Sequence, residues 1–186
     1  MCTAITYKTR DHYFGRNLDL ELSYGEEIVI TPRNYPINFL HEQEKKKHFY
    51  CLILAGGKGR RLWPVSQKDK PKQFIDILGT GKTMLQLTYE RFMQFLPKEN
   101  IYVSTYKDYK ALVNEQLPEI DDEHLLCEPV RRNTTPIAAW MTHRIMRIDP
   151  KATLIVSPAD QIITNDCAFI SDVLEGMLHA ENDGCF

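Results

Sequence analysis

Six consecutive apolar residues, Phe49-Tyr50-Cys51-Leu52-Ile53-Leu54, run directly into Ala55-Gly56-Gly57-Lys58-Gly59-Arg60-Arg61. No other feature narrows the fold as much. An unbroken apolar run of this length suits a strand buried on both faces, as in a parallel sheet covered by helices. A glycine-rich, basic loop at the end of such a strand lies where open α/β sheets take their ligands. The residues downstream keep the same rhythm. Thr83–Leu96 places Leu85, Tyr89, Phe92 and Leu96 at helical spacing, and Ile101–Ser104 reads as a second strand. Tyr109–Leu117 reads as a short helix and Leu125–Cys127 as a third strand. Thr134–Ile148 carries Ile137, Trp140, Met141, Ile145 and Ile148 on one face. Thr153–Val156 is a fourth strand, followed by an amphipathic helix over Phe169–Leu178. Strands alternating with helices predict βαβ units and a mostly parallel sheet, a Rossmann-like α/β domain over residues 49–186.

The first forty residues differ. Thr3–Tyr7, His12–Phe14 and Glu27–Ile30 are short β-rich runs between charged or glycine-containing turns, with no helical period. His41-Glu42-Gln43-Glu44-Lys45-Lys46-Lys47-His48 is a charge run and reads as a solvated linker. The expected organisation is therefore an N-terminal segment over 1–40, a junction over 41–48 and an α/β domain over 49–186. A length of 186 residues suffices for one ordinary domain with a core, though not comfortably for two. A net charge of -2 gives no basic excess for nucleic acid, and no apolar run approaches the roughly 20 residues of a membrane span. Met1-Cys2-Thr3-Ala4 lacks the charged and apolar regions of a secretory signal. Five cysteines, none in a C-x-x-C pair, point to scattered thiols in a reducing cytoplasm.

Glycines at the end of the first buried strand let backbone N–H groups approach phosphate oxygens, and Lys58, Arg60 and Arg61 supply charge for a polyphosphate. Two commoner phosphate motifs do not fit. The dinucleotide fingerprint needs a third glycine where Leu62 stands. A Walker A loop would end in Gly81-Lys82-Thr83, but the residue five before Gly81 is Asp76. Gly79-Thr80-Gly81-Lys82 reads instead as a turn entering the helix at Thr83.

The stretch GGKGRRLWPVSQKDKPKQF, from Gly56 to Phe74, resembles the signature of the sugar-1-phosphate nucleotidyltransferases. Its Leu-Trp-Pro and Pro-Lys-Gln-Phe parts look like the mannose-1-phosphate guanylyltransferase branch. Glu128-Pro129-Val130-Arg131-Arg132-Asn133-Thr134-Thr135-Pro136 is similar to that family's E-P-x-x-R-N-T-A-P segment, with Thr135 in place of alanine. Ser157-Pro158-Ala159-Asp160-Gln161 is similar to its P-A-D-H segment, with Gln161 in place of histidine. The resemblance implies transfer of a nucleotidyl group from GTP to mannose 1-phosphate. In that reaction Arg61 and Lys72 hold the triphosphate, and the backbone at Gly56, Gly57 and Gly59 approaches the nucleotide. Arg132 and Asn133 line the nucleotide pocket, and Asp160 holds Mg²⁺. Taken singly, each has a plainer reading: Lys72 as a solvated lysine, Asp160 as a turn cap, Arg132-Asn133-Thr134 as a helix cap. The family's second metal-binding aspartate and its sugar contacts come later than Phe186, so a C-terminally incomplete domain with impaired transfer is expected.

Met1-Cys2-Thr3, Tyr13-Phe14-Gly15-Arg16-Asn17-Leu18-Asp19 and Thr31-Pro32-Arg33-Asn34-Tyr35 resemble the start of the choloylglycine hydrolase family, amidases with an N-terminal cysteine nucleophile in an αββα fold. That resemblance implies Cys2 as nucleophile, activated by its own amine, with Arg16 and Asp19 orienting it. The expectation is a chimera of two unrelated families. Three functions follow: a guanylyltransferase-type nucleotide site, a cysteine amidase, or a non-catalytic nucleotide-binding remnant.

Overall fold

Two strands open the chain in the computed structural model, which describes residues 3–8, 12–17, 47–59, 62–130 and 132–183. β1 (Thr3–Lys8) and β2 (His12–Asn17) pair antiparallel, with Thr3 opposite Asn17 and Lys8 opposite His12. They match the first two β-rich runs and extend each of them. The third, Glu27–Ile30, lies outside the described residues. Contacts divide the chain into two compact units, Met1–Glu42 and Gln43–Phe186.

The second unit alternates strand and helix as its sequence predicts. In order it contains β3 (Phe49–Leu54), α1 (Met84–Met93), β4 (Ile101–Tyr106), α2 (Lys110–Gln116), β5 (Leu125–Glu128), α3 (Thr134–Ile148), β6 (Thr153–Pro158) and α4 (Asp166–Asp183). The four strands form one parallel sheet in the order β5-β4-β3-β6. The chain thus steps outward from β3 through β4 to β5, then returns to the far side of β3 with β6. Leu54 and Pro158 lie side by side at the carboxyl ends of β3 and β6. This is the point where the strand order reverses, and there the two crossovers diverge and leave a crevice.

Side chains alternate between two cores. Phe49, Cys51 and Ile53 of β3 face α1, α2 and α4, packing with Leu85, Phe92, Val113 and Leu174. Tyr50 and Leu52 face the other way, onto Ile137, Met141 and Ile145 of α3. All four residues expected to form the buried stripe of the first helix, Leu85, Tyr89, Phe92 and Leu96, are buried. The stripe expected on α3 is narrower than its sequence suggests. Ile137, Met141 and Ile145 are buried, whereas Trp140 and Ile148 are 49% and 59% exposed. Among the described residues the sheet beneath them ends at β6, whose Leu154 and Val156 are themselves only partly buried.

Local chemistry fixes the element ends. Thr83 caps α1 in a reciprocal box: its hydroxyl accepts from Gln86 N, and Gln86 Oε1 accepts from Thr83 N at 2.9 Å. Just before it, Gly79 and Gly81 take positive φ, and the Asp76 carboxylate accepts from Thr80 N and Gly81 N. Gly79–Lys82 is thus the expected turn into a helix. At the opposite end of the sheet, Lys47 and His48 belong to the second unit. Asn100 Nδ2 donates to Lys47 O, Thr153 N donates to His48 O at 2.8 Å, and His48 Nδ1 lies 2.6 Å from Asp149 Oδ2. No helix among the described residues is long and apolar enough to cross a membrane.

Candidate nucleotide cleft

Loop 55–59 leaves β3 in a conformation that its neighbours dictate. Ala55 N donates to Ser104 O at 2.7 Å, extending the β3–β4 ladder by one step. Ala55 O then accepts from Thr105 Oγ1 at 3.0 Å and from Gln73 Nε2 at 2.8 Å. The same Gln73 nitrogen donates to Gly57 O at 3.0 Å. Gln73 is buried, so its amide acts as an internal clamp that gathers the loop carbonyls inward. Gly59 closes the loop. Its φ is +60°, and a Cβ there would lie 2.1 Å from Ser66 Oγ, so both conformation and space require glycine. Gly57 differs: nothing lies within 4 Å of where its Cβ would be.

A cleft of about 650 Å³ opens over this loop at the reversal point of the sheet. Gly56 and Gly57 line it on the β3 side, Arg132 and Asn133 on the α3 side, and Asp160 after β6. The structure thus gathers five of the site residues implied by the family resemblance, although they come from three separate segments. Lys58, expected to supply charge, lines the cleft as well. Lys72 joins them through Asp160: its Nζ forms an ion pair with Asp160 Oδ2. Lys72 sits on a single 3-10 turn, Lys72–Phe74, and its backbone N donates to Ser66 Oγ at 3.0 Å. Gly59 does not line the cleft; it shapes the loop from behind. Arg61 lies outside the described residues, as do Cys2 and Asp19. Arg16 is in β2, opposite Ala4.

The lining residues that were given no role from sequence include Gln73, Ser104 and Glu128. Glu128 ends β5 and its Oε1 accepts from Ser104 Oγ at 3.2 Å, next to Gly56. The available signal was positional. Ser104 and Glu128 are polar residues at the carboxyl ends of otherwise apolar strands, where ligands of open α/β sheets bind. Asn133 takes φ +65°, unusual for a residue with a side chain, and gives α3 no side-chain cap. The first-turn amides of α3 therefore begin at the cleft without an internal acceptor from that side chain.

Among the described residues no three His, Cys, Asp or Glu side chains come together, so there is no all-protein metal cage. Asp160 nevertheless fits a cation, because it already holds one, the Lys72 ammonium. A single carboxylate completed by phosphate and water oxygens is the usual way a protein holds Mg²⁺.

Fold and cleft define an open parallel α/β domain with a cleft at its topological switch point, lined by the glycine-rich loop and by the cationic residues Lys58 and Arg132. The Nucleotidyl transferase family model matches residues 50–177, and the chain belongs to that family. It is 36% identical to the mannose-1-phosphate guanylyltransferase RfbM of Salmonella typhimurium, over 72% of this chain and 28% of that protein. To the alginate biosynthesis protein AlgA of Pseudomonas syringae it is 37% identical, over 63% of this chain and 24% of that protein. Among solved structures, one described as mannose-1-phosphate geranyltransferase from Thermus thermophilus superimposes with a TM-score of 0.59 at 36% identity. That match covers 72% of this chain and 38% of the other. The chain therefore spans between 24% and 29% of the length of the curated relatives it matches. A second model, of linear amide C-N hydrolases of the choloylglycine hydrolase family, matches residues 2–59. Two family models thus meet in one chain and overlap across β3, in keeping with the expected chimera.

Proposed function

We propose that the cleft binds GTP with Mg²⁺, and that the chain carries the nucleotide-binding part of a mannose-1-phosphate guanylyltransferase of the reducing cytoplasm. The observation that carries this reading is the convergence of Gly57, Arg132, Asn133 and the Lys72–Asp160 pair on one cleft at the reversal point of the sheet. The relatives' names support the guanine nucleotide and the sugar. The unbridged thiols of Cys51 and Cys127 support the compartment.

In the proposed reaction an oxygen of mannose 1-phosphate attacks the α-phosphorus of GTP, forming a new O–P bond. The bond from that phosphorus to the β-phosphate bridging oxygen breaks, giving GDP-mannose and pyrophosphate. Such a step needs placement and charge neutralisation rather than a covalent intermediate. Lys72 and Arg61 hold the triphosphate and offset charge at the transferring phosphorus. Loop amides near Gly57, held in place by the Gln73 clamp, fix the phosphates. Arg132 and Asn133 close the pocket wall. Mg²⁺ on Asp160, when bound, supplies charge neutralisation of the phosphate oxygens.

Thermal melting with GTP, ATP and UTP in Mg²⁺ tests the reading. A ligand bound only by the folded state adds about 2.7 kcal/mol at a hundredfold excess over Kd. The expected result is a GTP-selective rise in Tm that Lys72→Ala abolishes. A cooperative melt that no nucleotide moves would overturn the proposal.

The family match over residues 2–59 favours a second reading, amide hydrolysis by Cys2. Hydrolysis of a conjugated bile salt, lost after iodoacetamide, is the outcome it requires. Absence of such turnover in the freshly reduced chain would remove it.

A further inference from the structure

Lys72 and Asp160 present opposite charges to a cleft for a polyanion and its cation, yet here each charge neutralises the other. Both side chains are shielded, with 31% and 22% of their surfaces exposed, so solvent screens the contact only in part. Backbone contacts at or beside each residue hold the two segments in place. Lys72 N is bonded to Ser66 Oγ, and the adjacent Gln73 is buried and clamped to Ala55 O and Gly57 O. Asp160 follows Ala159, which is fully buried and donates its N–H to Leu54 O at 3.1 Å. Swinging of the two side chains separates the charges without disturbing these bonds. Among the described residues the other carboxylate of the cleft wall, Glu128, is engaged with Ser104.

We propose that the Lys72–Asp160 pair makes the cleft selective for a nucleotide already complexed with its divalent cation, against free nucleotide and against free cation. This rests on the nucleotide-binding reading given above. A triphosphate arriving alone draws Lys72 away and leaves a bare carboxylate facing phosphate oxygens. A dication arriving alone takes Asp160 and leaves the ammonium unpaired beside it. Only the complex replaces both lost partners at once, giving Lys72 to phosphate and Asp160 to the metal. The pair therefore couples two ligands that touch different residues, and such couplings commonly amount to about five- to 150-fold in affinity.

The test uses the whole chain and lone ligands. Binding of free Mn²⁺ is followed by electron paramagnetic resonance without nucleotide. Binding of GTP is followed by equilibrium dialysis in EDTA. Lys72→Met is expected to bind free Mn²⁺ about tenfold more tightly than wild type, and Asp160→Asn to bind metal-free GTP about tenfold more tightly. The second result is opposite to what loss of a metal ligand does to binding of the complex. Circular dichroism melts establish that each variant folds, with Lys72→Gln and Asp160→Ser as replacements where one does not. Folded variants that bind the lone ligands no better than wild type overturn the proposal. If Mn·GTP still binds wild type in that case, the nucleotide reading stands and the selectivity alone fails. If GTP binds in no form while Lys72→Met tightens Mn²⁺, the nucleotide reading fails and the counter-ion role of Lys72 stands.

Discussion

Gly57 and Gly59 are two residues apart and do different jobs. At Gly59 a side chain meets both a left-handed backbone and the Ser66 hydroxyl. At Gly57 it meets open space above the cleft. Gly59→Ala should therefore cost roughly 1–3 kcal/mol of stability, the range for strained backbone positions. Gly57→Ala should change stability by less than about 0.5 kcal/mol, yet weaken nucleotide binding by placing a methyl group in the site. Urea unfolding of both variants, paired with GTP titration, separates the two roles; equal loss of stability would contradict it. From the sequence, the three glycines look alike. What distinguishes them is the position of Ser66 and the clamp from Gln73, contacts that no spacing rule reveals. Lys72 and Asp160 were legible as charged groups at strand and loop ends, through family resemblance. That they meet each other was not, because pairing across the sheet leaves no mark in either local segment.

Elements are held at their ends by a few polar contacts. Gln116, at the close of α2, accepts from Thr83 Oγ1 at 2.7 Å and donates from Nε2 to Phe74 O at 3.1 Å. The start of α1, the end of α2 and the turn bearing Lys72 therefore share one side chain. At the opposite edge, Asp149 ties the α3–β6 corner to the residue before β3. Burial raises its carboxyl pKa, but hydrogen bonds from His48, Lys151 N and Tyr50 outweigh that and hold it below its ordinary 3.8. A depressed carboxylate contributes stability above its unfolded value, and that contribution is lost as pH falls through the folded one. Wild type should accordingly melt above Asp149→Asn at neutral pH, and the gap should close as pH drops below 3.8. A gap that stays constant from neutral to acid would show that ionisation of Asp149 is not its source. The order of elements was legible because buried parallel strands read as solid apolar runs and their helices keep a clear period. The width of the α3 interface was not. Periodicity shows that Trp140 and Ile148 share a side of the helix with Met141, but not where the sheet beneath stops.

The whole chain combines an antiparallel β pair and a parallel α/β unit, matched by different family models. We propose that the units are separable domains joined along the chain by the charged run, where Lys45 and Lys46 come before the bonds of Lys47 and His48 begin. Limited trypsin digestion should cut first after one of these lysines and leave a fragment starting near His48 that melts cooperatively. Early cuts scattered through 49–183 would refute independent domains. At this scale the sequence pointed to both families, because each leaves a run of motif residues. It did not show that β3 would be the centre of the sheet, since strand order depends on crossovers and not on local pattern. That centrality has a consequence in time. Of the parallel strands, Phe49–Leu54 is synthesised first, whereas its β6 partners, Thr153–Pro158, follow only after α1, α2, α3 and two further strands have been made. At roughly 5–20 residues per second the wait is on the order of ten seconds. Through that interval the most apolar strand of the nascent polypeptide has one open flank. On the ribosome, then, completion of the sheet waits on the last of its strands.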